Sequence, residues 1–405
     1  MTLPSNLIEL AHHLKQESLF VVAQGSNIQK TFEDVRKYSD ELFHQSWIVR
    51  RQRSGMNKLL FASNTSPKEV CGHNNQLEWT NFVDGYKYLG YQNSKYGEFL
   101  KILRENPVYL ANCIDNGEKG GAENTQEVLR IIMSAVFGNV VLHEDENLAM
   151  QMIKSLAELQ LANSDDPRRL IRKGTYGFRL MFLQLFDCLF SAKLFLTAAL
   201  HEAVMKLMME DEWFYDIDPG KAFVRFPTAE RQKRFGKEGT QQYEEKCREY
   251  RKFIVDKLVV LTNRFVSALK HNMHCFPPAL GWLISQVYHI LLKTGKHDVD
   301  KIRVICVDLV YTLFICPAIC DPEPYGITSD IHISHIARHN LMQIAQIIQV
   351  LAVSQWEEDS KEKDLYERFE KVYNIFIYIY MYSRCGRVVA LDIRLSDWCC
   401  SVSMV

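Results

Sequence analysis

The sequence predicts an all-α protein: a multi-helix domain preceded by a helical extension. Three observations carry that reading. Apolar residues recur at three- and four-residue spacing in segment after segment. No run alternates apolar with polar residues as a half-buried strand does, and no repeat of fixed period recurs. Helix start and stop signals stand where the periodic segments begin and end.

Leu7, Leu10, Ala11 and Leu14 keep helical spacing behind Ser5, a candidate N-cap. A second helix is predicted over 31–51, with Val35, Tyr38, Leu42, Phe43 and Trp47 on one side. Its basic end, Arg50-Arg51-Gln52-Arg53, suits a helix C-terminus. Residues 63–75 read as a loop. Helices are then expected at 79–89, 93–105, 124–141, 145–163, 168–187, 191–210, 240–272, 277–294, 298–315 and 333–352. Asn124-Thr125-Gln126-Glu127 and Asp165-Asp166-Pro167 are two of the start signals. Residues 211–239, with Pro219, Pro227, Gly236 and Gly239, read as a long surface loop. The apolar helix that ends near Phe314 meets Pro317, Pro322, Pro324 and Gly326, so it is expected to stop abruptly inside a packed core.

After the charged run from Glu357 to Lys363 a short helix is expected to reach Val372. Tyr373 to Tyr382 is then strand-prone and uncharged. It reads as foreign to a helical design, or as an interaction strand. The expected divisions are a helical extension over 1–80, the main helical domain over 81–357 and an atypical tail over 358–405.

Composition excludes several classes. Among 405 residues, 47% are apolar and 24% charged, with a net charge of −1, which suits a globular chain without general affinity for nucleic acid. Eleven cysteines without a CxxC pair suggest free, mostly buried thiols in a reducing compartment. No signal-type apolar segment opens the chain, and no apolar run is expected to approach a membrane span. Gly25 to Thr31 lacks the second glycine of a phosphate loop, and no dinucleotide, zinc-protease, serine-hydrolase or kinase signature occurs. No cofactor and no metal is expected. Cys316 and Cys320 are four apart, but Pro317 between them argues against a shared helix face. Cys71-Gly72-His73 and His12-His13 are weak signals, and Cys399-Cys400 is too far from the terminus for a prenylation box.

Three separated segments carry a more specific pattern: Asp166-Pro167-Arg168-Arg169-Leu170-Ile171-Arg172-Lys173-Gly174-Thr175, then Phe314-Ile315-Cys316-Pro317-Ala318-Ile319-Cys320-Asp321-Pro322, then Ala337-Arg338-His339-Asn340 through Ala352. In this order they resemble the finger loop, the signature segment and the last core helix of the Ras GTPase-activating family. The likeness covers roughly residues 80–355. It implies a RasGAP-like helical fold and a GTP-bound Ras-like small GTPase as partner, with an arginine supplied in trans. On the match Arg172 takes the finger position and Thr175 the hydroxyl position, where a local backbone bond is expected. Arg168, Arg169 and Lys173 would steer the acidic face of the GTPase. Arg338 and Asn340 would be groove contacts or ordinary surface. Phe314, Ile315, Pro317, Ala318 and Gln349 would be structural. Where the family keeps an arginine that props the finger, this chain has Leu313, and a family lysine is replaced by Gln346.

Within the family, Phe82-Val83-Asp84-Gly85-Tyr86-Lys87 and Phe190-Ser191-Ala192-Lys193-Leu194-Phe195 resemble an endocytic branch. That likeness implies a cytoplasmic protein, peripheral on endosomal membranes, with membrane or coat partners. Members of that branch carry a C-terminal exchange domain, for which these 405 residues leave no room, so exchange activity is not expected of them. Two other readings stay open: a scaffold that binds the GTPase without accelerating hydrolysis, and a helical adaptor.

Overall fold

Helices dominate the computed structural model, which describes residues 5–61, 87, 91–210, 213–216, 226–328 and 332–354. No strand occurs among the described residues. The predicted loop at 63–75, all but one residue of the helix at 79–89, and the whole tail from 355 onward lie outside them. The chain divides into two units, residues 1–106 with 135–148, and residues 107–134 with 149–405.

In the first unit, α1 runs unbroken from Ser5 to Phe61. It replaces the two helices predicted at 7–14 and 31–51. The stretch between them holds no proline, and its one glycine, Gly25, costs a helix only about 1 kcal/mol. The Thr31 hydroxyl donates back to the Asn27 carbonyl at 2.9 Å. Arg50 to Arg53 therefore lie within a helix and not at its end. A column of apolar side chains on α1, including Val21, Val35 and Leu42, is exposed. α2 is Tyr91–Glu105. Its Arg104 pairs with Asp145 and, at 3.0 Å, with Glu144. Arg36 of α1 donates to Glu146 at 2.5 Å. These three acids form the first turn of a helix, where the backbone dipole also favours negative charge.

The second unit contains α3 (Pro107–Lys119), α4 (Thr125–Ile131), most of α5 (His143–Leu156), α6 (Pro167–Lys173), α7 (Gly177–Cys188) and α8 (Phe190–Met208). It continues with α9 (Thr228–Phe235), α10 (Gln241–His271), α11 (Pro278–Thr294), α12 (Val299–Val310), α13 (Cys316–Cys320) and α14 (His335–Ser354).

Several long helices expected from periodicity are interrupted. The one predicted over 124–141 ends its regular turns at Ile131, passes through a wide π turn at Ile132–Val136, and breaks at Gly138 and Asn139, both at positive φ. The one over 145–163 widens into a π turn at Ala157–Leu161. The 211–239 loop contains α9, and its stretch 213–216 is tied to α14.

The helix predicted over 168–187 is two helices, α6 and α7. The break is at Gly174, whose backbone is extended (φ −83°, ψ 152°) while its N–H still closes on the Leu170 carbonyl. A Cβ there would lie 2.5 Å from that carbonyl oxygen and 2.5 Å from a Tyr176 ring carbon. Only glycine lets the chain leave α6 this tightly. At the start of α7, a Cβ on Gly177 would lie 2.7 Å from an Ile114 methyl, so α7 starts in close contact with α3.

Pro317 does not end the helix before it. The backbone widens into a π turn at Tyr311–Ile315 and restarts as α13, with Pro317 among its first residues. A helix start needs no N–H from that position, so proline is accommodated. Cys316 and Cys320 consequently share this short helix, against expectation. The Cys316 thiol is buried and donates to the Ala345 carbonyl at 3.4 Å. Burial also pushes the Cys306 thiol, on α12, up to about 12. No group of three His, Cys, Asp or Glu able to hold a metal occurs among the described residues.

The run Val299–Cys320 is long and apolar enough to cross a membrane by length and composition, contrary to the sequence expectation. In this fold 78% of its apolar window is buried, because α12, the π turn and α13 pack against α11, α8 and α14. Phe314 is the junction. Its ring meets Phe186 of α7 at 6.0 Å, edge on, and Phe195 of α8 at 6.1 Å, stacked. Phe195 in turn meets Phe276 at 5.4 Å. Ile315 and Ala318 are buried beside it and Pro317 is half-buried, so the signature segment is scaffold.

Phe314→Ala removes the ring shared by three elements. It is expected to lower the unfolding free energy by about 3–5 kcal/mol in urea titrations. Gly174→Ala forces a Cβ against backbone and is expected to cost about 1–3 kcal/mol by the same measurement, with helix content by circular dichroism nearly unchanged.

Candidate functional site

The site is built on α6. Asp166 caps the helix by accepting the Arg169 N–H at 3.1 Å, and Pro167 occupies its first turn, where no N–H is required. Seven residues later Gly174 ends it. Arg168 and Arg172 stand four apart, on one face. Arg169 points to the exposed side, and the side chain of Lys173 lies outside the described residues. Thr175 is exposed in the three-residue link to α7.

Beneath that face lies Asp308 of α12, with none of its side chain exposed. Arg168 Nε donates to its Oδ2 at 2.7 Å. Arg172 Nε is 3.7 Å from its Oδ1, and 38% of the Arg172 side chain is exposed. The Thr312 hydroxyl donates to Oδ1 at 2.7 Å, and Gln349 Nε2 of α14 donates to the Thr312 hydroxyl at 2.9 Å. A chain of polar contacts therefore links the last core helix, through the π turn, to the two arginines of α6. Leu313, adjacent to Thr312, is buried and apolar.

The other end of the α6–α7 link is also held. Gln160, in the π turn after α5, accepts the Phe178 N–H at 2.8 Å and donates to Glu118 at 2.6 Å. Burial raises the Glu118 carboxyl above its ordinary range, against the hydrogen bonds from the Gly177 amide and Gln160 that favour its charge.

Three residues weighed as partner contacts bind acids or backbone of this chain. Arg168 is not a steering charge on the surface: its guanidinium is bound to a buried carboxylate. Asn340 is not a groove contact either. It is buried, its amide donating to the Trp213 carbonyl at 2.7 Å and its oxygen accepting the Tyr215 N–H at 2.9 Å. Both backbone groups of that stretch would otherwise need water. Arg338 is bound to Asp321 and Glu323, two acids of the turn after α13, so its charge is offset locally. Gln349, read as a structural residue, donates to Thr312.

Periodicity and motif missed Asp308, Thr312 and Gln160. One signal was present for Asp308. It is the single acid in the apolar stretch from Val304 to Cys320, and a carboxylate on a buried helix face requires a cation. The two arginines that answer it are some 140 residues away in sequence.

Residues 152–353 match the family model of RasGAP, the GTPase-activator protein for Ras-like GTPase. The match spans α6, Asp308 and the signature segment. Over 364 residues, 89% of this chain, the sequence is 44% identical to GTPase-activating protein and VPS9 domain-containing protein 1 of Xenopus laevis, covering 25% of that protein. The human protein of the same name is 43% identical over the same share of each. Receptor-mediated endocytosis protein 6 homolog of Drosophila pseudoobscura pseudoobscura is 30% identical over 87% of this chain and 20% of its own length. The chain thus spans about a quarter of the length of the Xenopus and human relatives. Through residues 152–353 the chain belongs to the RasGAP family of GTPase-activator proteins for Ras-like GTPases.

Proposed function

We propose that the domain activates a GTP-bound Ras-like small GTPase by supplying Arg172 in trans, within a cytoplasmic protein that works in endocytic trafficking, peripheral on endosomal membranes. The carrying observation is Arg172 itself. It sits in the last turn of α6, one residue before Lys173 and two before the Gly174 break, with a guanidinium both exposed and anchored at Nε. The trafficking link rests on relatives that are named for endocytosis.

GTP hydrolysis on Ras-like proteins is slow because charge that develops on the phosphates in the transition state is poorly neutralised. An inserted arginine supplies that charge, worth about 10³–10⁵ in rate, roughly 4–7 kcal/mol. Its planar fork can bond phosphate and leaving-group oxygens together, and it never deprotonates at working pH. No cofactor is needed on this side of the complex. Arg169 and Lys173 flank the finger and add positive potential toward the acidic face of the GTPase. Thr175, exposed in the link, is available to the same face.

A second reading, a scaffold that binds the GTPase without accelerating hydrolysis, is favoured by buried Leu313 and by exposed Gln346, where the resemblance to the family implies an arginine and a lysine.

Single-turnover GTP hydrolysis on a panel of purified Ras-like GTPases tests both. Acceleration by the full chain, lost about 10³-fold or more in Arg172→Ala with binding to the GTP-bound form retained, is the expected outcome. Binding without acceleration at any concentration selects the scaffold. Arg169→Gln is expected to slow association a few-fold at low salt, with little effect at high salt, in stopped-flow binding.

A further inference from the structure

We propose that Asp308 is a positioning residue for Arg172, and that Arg168 keeps the Asp308 carboxylate neutralised so that Arg172 is free to extend. The inference rests on the reading of Arg172 as the finger and adds what steadies it in a chain that has Leu313 at the supporting position.

The two carboxylate oxygens are used unequally. Oδ2 takes the short bond from Arg168, at 2.7 Å. Oδ1 takes the Thr312 hydroxyl at 2.7 Å and faces Arg172 only at 3.7 Å. That distance is an ion pair and not a hydrogen bond. Contact through Nε leaves the two terminal nitrogens of Arg172 for oxygens outside the protein. Arg172 is thus oriented at its root and loose at its head.

The arrangement solves a charge problem. A fully buried carboxylate left without a cation is strongly disfavoured. Were Arg172 its only partner, reaching for a phosphate would strand that charge, and the finger would be trapped. Arg168 holds the carboxylate in both positions of Arg172. Thr312, fixed by Gln349, prevents the carboxylate from rotating to follow the departing arginine. A carboxylate with that local network substitutes for a supporting arginine at Leu313.

The test uses the full chain and the GTPase that responds in the panel above. Asp308→Asn, Arg168→Gln, the double variant and Arg172→Ala are compared by maximal single-turnover rate, half-saturating GTPase concentration and melting temperature. In addition, the Nε–H signal of Arg172 is followed by NMR. Asp308→Asn is expected to lower the maximal rate about 10- to 100-fold, with the half-saturating concentration little changed and the Arg172 signal shifted. Arg168→Gln is expected to lower the rate at least as far, because Arg172 becomes the sole cation on the carboxylate. The double variant is expected to return to the Asp308→Asn rate, since no charge remains to trap the finger. Should Asp308→Asn fold poorly, Thr312→Val removes only the orienting hydroxyl and is expected to shift the same signal and slow the rate several-fold.

A folded Asp308→Asn with unchanged rate and unchanged Arg172 signal overturns the proposal, as does a double variant whose loss equals the sum of the two single losses. Full acceleration by Arg172→Ala instead overturns the finger reading itself. If the wild-type chain accelerates no GTPase, the finger reading falls, and an unmoved Arg172 signal in Asp308→Asn removes the positioning role with it.

Discussion

A carboxylate shut away from water must find positive charge, and in this domain that requirement ties distant parts of the chain together. Asp308 lies on α12, its cations on α6 and its hydroxyl donor in the π turn, which is held in turn from α14. Removing one partner from such a cluster typically costs 3–5 kcal/mol, more than the hydrophobic gain of most single side chains. The short helix α6 has only seven residues and could not hold its own shape in water. Its cap, its proline start and its ion pair to Asp308 make up for that length. The placement of Arg172 follows from these local facts.

The helical character of the domain and most of its element positions follow from apolar spacing, because each long helix needs one buried stripe and the stripe is visible residue by residue. What spacing could not show is where a helix leaves its regular path. The π turns at 132–136, 157–161 and 311–315 keep helical composition and differ only in which carbonyl each N–H reaches. The α6–α7 break turns on one missing Cβ at Gly174, whose meaning depends on Leu170 and Tyr176 in three dimensions. Pro317 misled in the opposite direction: proline ends a helix only if its position needs an N–H, and the π turn had already reset the count.

The candidate site divides in the same way. Arg172 could be proposed because its neighbours resemble a known loop. Arg168 and Asn340 belong to the same likeness, yet both turn inward. A sequence gives the donor or acceptor capacity of a side chain but not the partner that consumes it. Arg168 is consumed by Asp308, and Asn340 by the backbone of Trp213 and Tyr215. Phe314, in contrast, was expected to be structural and meets both α7 and α8.

The buried acid also bears on the chain before it folds. Val299–Cys320 has the length and apolarity of a bilayer-crossing segment, and a nascent chain displays it before α8 and α14 have covered it. Asp308 sits near its middle. An aspartate at the centre of a membrane helix adds about 2.5–3.5 kcal/mol to the cost of insertion. The same carboxylate that orients an arginine in the finished domain therefore biases the unfinished one away from lipid and toward its own core.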